Sequence, residues 1–150
     1  MENMPIKSHL GVYAFIYQND SLLLIKKARG PYQGMYDLPG GTIEPNELIT
    51  ETLEREIKEE TGCYLVTCEQ IGTVDTRFVW NRENENKPQT LFKHIGILYF
   101  ATVTGKETSS GDGQDSDGAI WISISDICQK KVSVSPFVTK GLQIASELKK

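Results

Sequence analysis

Cysteine is scarce in this chain of 150 residues: Cys63, Cys68 and Cys128 are the only three. The count is odd, and the spacing is neither CxxC nor a zinc-ligand set. The expected state is a reduced thiol in a cytoplasmic protein, used as a small core residue. Long apolar runs are also missing. The run near the start, "HLGVYAFIYQND", is broken by Gln18, Asn19 and Asp20 and has no small-residue cleavage site, so no signal peptide is read. Nothing approaches the roughly 20 apolar residues of a membrane span, so no membrane partner is expected. Positive charge is in deficit: 16 Lys and Arg stand against 20 Asp and Glu, a net charge of −4. That balance argues against a nucleic-acid backbone as partner. It leaves room for a small anionic substrate, which needs only a few local cations. No internal repeat and no linker divides the chain. Residues 1–150 therefore read as one domain, long enough to bury a core.

What is present is a succession of strands with two good helices. "HLGVYAFIYQ" and "SLLLIKK" flank the turn formers Asn19-Asp20 and read as a hairpin. "ARGPYQG" is a loop and "MYDL" a short strand stopped by Pro39, Gly40 and Gly41. Ile49, Leu53 and Ile57 recur every four residues, and the spacing predicts a helix over about 47–61. Pro45 precedes it and Gly62 ends it. "YLVTCEQIGTVDTRFVW" reads as one or two strands, "NRENENKPQ" as a polar loop and "TLFKHIGILYFATV" as a strong strand. The polar loop 104–118 precedes the strand "AIWISI". "SDICQK" reads as a short helix capped near Ser125 or Asp126. "SPFVTKGLQIASELKK" reads as a terminal helix whose apolar face is Phe137, Leu142, Ile144 and Leu148. The expected class is α/β: a mixed sheet with helices on both faces.

Charge is concentrated in one place. Residues 40–63 hold Glu44, Glu47, Glu51, Glu54, Glu56, Glu59 and Glu60 against Arg55 and Lys58, which is 2 − 7 = −5. Glu56, Glu59 and Glu60 fall within about 100° of one another on the helix. Like charges at that spacing repel and raise one another's pKa when packed into a site. A solvated, Glu-rich helix face would explain the composition alone. Two features favour a hard cation instead. The cluster borders the apolar stripe, and glycines flank it at Gly40, Gly41 and Gly62, where backbone can approach a ligand. Mg²⁺ suits such oxygen donors.

From Gly41 through Glu47 to Arg55-Glu56-Ile57-Lys58-Glu59-Glu60-Thr61-Gly62-Cys63, the stretch resembles the Nudix box, G-x5-E-x7-R-E-U-x-E-E-x-G-U, where U is a bulky aliphatic residue. Every fixed position matches. Cys63 stands at the last U, a change in packing and not in chemistry. "LPGG" precedes the box, as is common in the family. The resemblance implies the Nudix fold, an α/β/α sandwich, and hydrolysis of a nucleoside diphosphate linked to another moiety X, with Mg²⁺ or Mn²⁺. It implies that Glu56, Glu59 and Glu60, with the Gly40 carbonyl, hold the metal. It implies that Arg55 orients the carboxylates, Glu47 supports the loop or a metal water, and Gly41 allows the turn. Glu56 and Glu59 are both open as the general base. A catalytically silent nucleotide sensor is the alternative, and a homodimer is common among such proteins.

Outside the box, Lys26, Lys27 and Arg29 end a strand beside the site, with Arg29 preferred as a phosphate ligand; a solvated strand end is the other reading. Tyr32, Tyr36, Phe78 and Trp80 are candidates for base stacking or for the core. His94 reads as structural. Glu107, Asp112, Asp115 and Asp117 are candidates for a carboxylate outside the box, or plain loop residues. The downstream proline of the ADP-ribose group, the tyrosine of the diadenosine polyphosphate group, and the NADH and coenzyme A motifs are missing. A MutT-like preference, for (d)NTPs or nucleotide sugars, is what remains.

Overall fold

The computed structural model describes residues 3–108 and 116–148, with backbone only at 116–117. Strands β1 (Ile6–Phe15), β5 (Gly40–Thr42), β6 (Tyr64–Trp80) and β7 (Thr90–Thr104) form one sheet in the order β5-β1-β7-β6. β1 runs parallel to β7 and antiparallel to β5, so this sheet is mixed. Strands β2 (Tyr17–Gln18), β3 (Ser21–Lys27), β4 (Tyr36–Asp37) and β8 (Ser116–Ser123) form a second, antiparallel sheet around β3. The expected hairpin is therefore confined to Tyr17–Leu22 around Asn19-Asp20, with Asn19 at φ 56. The rest of β1 belongs to the other sheet. The long segment after the box is a single strand, β6, bent by register shifts at 65–67 and 70–72.

Alternation along β1 and β3 builds two cores. Val12, Ala14, Ile16, Leu23 and Ile25 face α1 (Ile49–Thr61) and meet Leu53 and Ile57. Tyr13, Phe15, Leu22 and Leu24 face the other way and meet Phe137 and Val138 of α3 (Pro136–Leu148). One helix thus covers each face of the strands, the layering expected of an α/β/α sandwich.

Several details differ from the sequence reading. Helix α1 begins at Ile49, after the Glu47 N–H has closed a turn on the Glu44 carbonyl. The short helix α2 (Ile124–Cys128) is capped by Ser123, whose Oγ accepts from the Asp126 N–H at 3.0 Å. On α3, Leu148 is exposed, and Gly141 and Ala145 take the inner positions. A Cβ on Gly141 would overlap the Phe15 ring, which explains why a residue without a side chain sits there. Of the cysteines only Cys63 is a core residue; Cys68 is half-buried and Cys128 exposed. No helix among the described residues is long and apolar enough to cross a membrane.

Candidate active site

Gly62 ends α1 at φ 80, its N–H bonded to the Lys58 carbonyl, and the helix lies with Leu53 and Ile57 fully buried. That seating fixes the rotation of the acidic face. Glu60 turns inward, 1% exposed, and its Oε1 accepts the Gly40 N–H at 2.8 Å. Glu56 is mostly buried and Glu59 is half-exposed. All three line one cleft of about 830 Å³, together with Gly40, Gly41, Arg55, Lys27 and Arg29.

Arg55 is the hub of the acidic wall. Its Nε and Nη2 form a fork on Glu47, at 2.7 and 3.0 Å. Its Nη1 donates to Glu56 at 2.8 Å and to Glu59 at 3.2 Å. Glu47 does not line the cleft. It stands behind Arg55 and also accepts from the Thr52 hydroxyl, at 2.9 Å. The Arg55 fork holds the Glu47 carboxyl down at about 2.

The two glycines act differently from one another. A Cβ on Gly41 would lie 2.7 Å from Glu56 Cδ and 2.9 Å from both of its carboxylate oxygens. Gly41 therefore leaves room for Glu56, and it is Gly40, at φ 150, that takes the unusual backbone conformation. The sequence reading gave the turn to Gly41. A Cβ on Gly40 would overlap the Val12 carbonyl oxygen and lie 2.7 Å from Tyr13 Cα.

Burial, and not mutual repulsion, is the main cause of the shifted carboxyls. It pushes Glu56 up to about 7, against the pull of Arg55, with Glu59 a smaller contributor. It pushes Glu60 well up too, partly offset by Lys27 and the Gly40 N–H. Asp37, wholly buried in the same cleft, is raised for the same reason, although Ser135 Oγ donates to it at 2.6 Å and the Leu38 N–H at 2.8 Å. Buried carboxyls near one another ionise readily only beside a cation. Among the described residues no three His, Cys, Asp or Glu side chains already converge on one metal-sized point. The Arg55 guanidinium bridges Glu56 and Glu59. The donor set, all oxygen and with a glycine making room, fits a hard divalent ion.

Part of the cleft lining is aromatic. His94 lines the cleft, with Phe137 stacked on it at 4.2 Å between ring centres. Tyr13 and Tyr32 hydroxyls lie 2.7 Å from its two ring nitrogens. Burial lowers His94 to about 3, so the ring is neutral: one nitrogen accepts from a tyrosine and the other donates. Tyr32 and Trp80 line the cleft, Phe78 lines an adjoining pocket, and Tyr36 lines neither. Lys26 lies over Tyr36, away from the cleft, while Lys27 lies inside it. Asp112 and Asp115, and the side chain of Asp117, lie outside the described residues; Glu107 does not line the cleft.

The sequence reading missed Lys7, His9, Asp37 and Phe92, which also line the cleft. One signal was available for His9. "HLGVYAF" and "HIGILYF" share His-x-Gly-x-x-x-Phe, and they pair in parallel with His9 beside His94, Gly11 beside Gly96 and Phe15 beside Phe100.

The family model of the NUDIX domain matches residues 7–138, so the chain belongs to the Nudix family. It is 43% identical over 103 residues to an ADP-ribose pyrophosphatase of Methanocaldococcus jannaschii, covering 69% of this chain and 56% of that one. It is 39% identical over 71 residues to an 8-oxo-dGDP phosphatase of Homo sapiens, covering 44% of this chain and 22% of that one. The matched regions thus span well under two thirds of these relatives. The NUDIX domain of Shewanella oneidensis NrtR, solved with ADP ribose, superposes with a TM-score of 0.72 at 20% identity, covering 96% of this chain and 90% of that one. At that identity the likeness is one of fold.

Proposed function

We propose that the chain is a metal-dependent pyrophosphohydrolase, a single Nudix domain that cleaves a nucleoside diphosphate linked to X. The observation that carries this is the pair of carboxyls, buried Glu60 and mostly buried Glu56, set against Gly40-Gly41 in a cleft that also holds Lys27 and Arg29. Glu56, Glu59 and Glu60, with the Gly40 carbonyl, hold Mg²⁺ or Mn²⁺. When bound, that ion neutralises phosphate charge and makes a coordinated water more acidic. Arg55, fixed by the Glu47 fork, keeps Glu56 and Glu59 at the cleft wall. Glu59, the most solvent-open of the three, accepts the proton of the attacking water. The water oxygen bonds to phosphorus, the bridging P–O bond breaks, and the leaving phosphate oxygen departs with the electron pair beside Lys27 and Arg29. (d)NTPs and nucleotide sugars are the candidate substrates. The Methanocaldococcus jannaschii relative adds ADP-ribose to that set.

The test is product release from (d)NTPs, nucleotide sugars, ADP-ribose and dinucleoside polyphosphates, with Mg²⁺ and with EDTA, for wild type and Glu60→Gln. Cleavage of one group that both EDTA and Glu60→Gln abolish is the expected result. Tight nucleotide binding with no cleavage of any of them would make the chain a silent nucleotide-binding module.

A further inference from the structure

Trp80 is the last residue of β6. Its indole lines both the main cleft and the adjoining pocket of about 360 Å³. The Arg82 guanidinium carbon lies 3.9 Å from the centre of its ring. Arg82 is itself only 9% exposed and is held from behind by Glu85, at 3.2 Å from Nε and 3.2 Å from Nη2. The edge-on Phe92 ring, at 5.6 Å, fixes the indole from the side. A buried arginine is almost always paired, as Arg82 is with Glu85. Here it makes a rigid backing for one face of a tryptophan whose ring borders an open cavity. Tyr32, Phe92 and His94 line the same cavity, and Lys7 Nζ lies 5.8 Å from the centre of the indole ring. The cations Lys7, Lys27 and Arg29 also line the cleft.

We propose that Trp80 is the stacking wall for the base of the substrate, and that Arg82 is the positioning residue that holds it there. The cleft then has an order: acidic box for the ion, cations for the phosphates, Trp80 for the base. The substrate must therefore carry an aromatic base on the side of the pyrophosphate away from the box. A phosphorylated sugar without a base forfeits the stacking. This rests on the hydrolase reading for its phosphate end, but its test needs no turnover.

The chain has two tryptophans, so Trp121→Phe leaves Trp80 as the sole reporter. Trp121 lies on β8, among partly buried residues of the α1-side core and away from the cleft. AMP, GMP and CMP, titrated without metal, are expected to quench Trp80 fluorescence, and ribose 5-phosphate to leave it unchanged. Calorimetry on the wild-type chain gives the same comparison without a variant. There, Trp80→Leu is expected to weaken AMP about 5- to 150-fold, as loss of one stacking partner does, with ribose 5-phosphate unaffected. Arg82→Lys keeps the charge but not the planar backing. It should weaken AMP alone and raise the accessibility of Trp80 to acrylamide. Equal affinity for AMP and ribose 5-phosphate, or AMP binding that leaves Trp80 fluorescence unaltered, would overturn the proposal. Turnover that fails while the quench persists would sink the hydrolase reading and spare this one.

Discussion

The neighbouring glycines of the box entrance should give opposite phenotypes when each is replaced by alanine. At Gly41 the new Cβ would lie 2.7 Å from Glu56 Cδ. An ordinary carbon contact is about 3.5–4.0 Å, so the carboxylate must retreat by roughly 1 Å. It is the far end of a flexible side chain, and the backbone at Gly41 needs no positive φ. The cost in stability should stay below about 1 kcal/mol. The cost in catalysis should be large, about 100-fold in kcat, because roughly 1 Å of misplacement in a catalytic constellation has that effect. At Gly40 the Cβ would meet the Val12 carbonyl and the Tyr13 backbone, neither of which can move without breaking the β1–β5 pairing. With φ at 150 added, the loss should be about 2–5 kcal/mol, or a Tm lower by roughly 5–15 °C. Thermal melts and initial rates on purified Gly40→Ala and Gly41→Ala, side by side, read both quantities. A Gly41→Ala protein with full activity, or one as destabilised as Gly40→Ala, would refute the assignment of Gly41 to the Glu56 carboxylate.

Glu60→Gln should abolish turnover and yet raise the Tm of the metal-free protein at neutral pH, because it removes a buried carboxyl whose charge folding disfavours, while an amide oxygen keeps the Gly40 N–H; a melt in EDTA shows it. Metal-free protein should lose stability as pH rises. Glu56 is about 7 in the fold against 4.5 unfolded, so the folded state binds more protons between those values. Solvent screening in the open cleft keeps the loss to about 1–2 kcal/mol, with Glu60 acting in the same direction. Saturating Mg²⁺ should restore stability most at the high end, and urea melts at pH 5 and 7.5 with and without Mg²⁺ test the sign. Glu47→Gln should cost about 10- to 100-fold in activity, as loss of a support behind a ligand set does, although Glu47 is outside the cleft; steady-state rates check it.

The box and its helix were legible because local rules decide them. The stripe Ile49, Leu53, Ile57 set the rotation of α1, and Gly62 could serve as a left-handed cap. The common cleft of Glu56, Glu59 and Glu60 followed from that rotation. The division of labour between Gly40 and Gly41 did not, since it depends on which strand lies across them. Nor did the two-sheet arrangement: β1 reads as a hairpin partner of β3 by adjacency, but most of it pairs with β7, some eighty residues on. The aromatic lining was half legible. Tyr32, Tyr36, Phe78 and Trp80 read alike as stacking or core candidates, and His94 as structural. Its setting, between two tyrosines and against Phe137, is made by residues on two separate elements and a loop. Asp37 reads as part of the short strand "MYDL"; the partners of its buried carboxyl are the Leu38 N–H and Ser135, just before α3 and far along the chain.

The central claim is that the α1 carboxylates hold a divalent cation that in turn holds the pyrophosphate. The most direct measurement is Mn²⁺ binding followed by electron paramagnetic resonance, for wild type, Glu56→Gln and Glu60→Gln, with and without a non-hydrolysable nucleoside triphosphate analogue. The account predicts that wild type binds Mn²⁺, that the analogue tightens it, and that each substitution weakens it by about tenfold or more. Equal Mn²⁺ affinity in all three proteins, indifferent to the analogue, would contradict it.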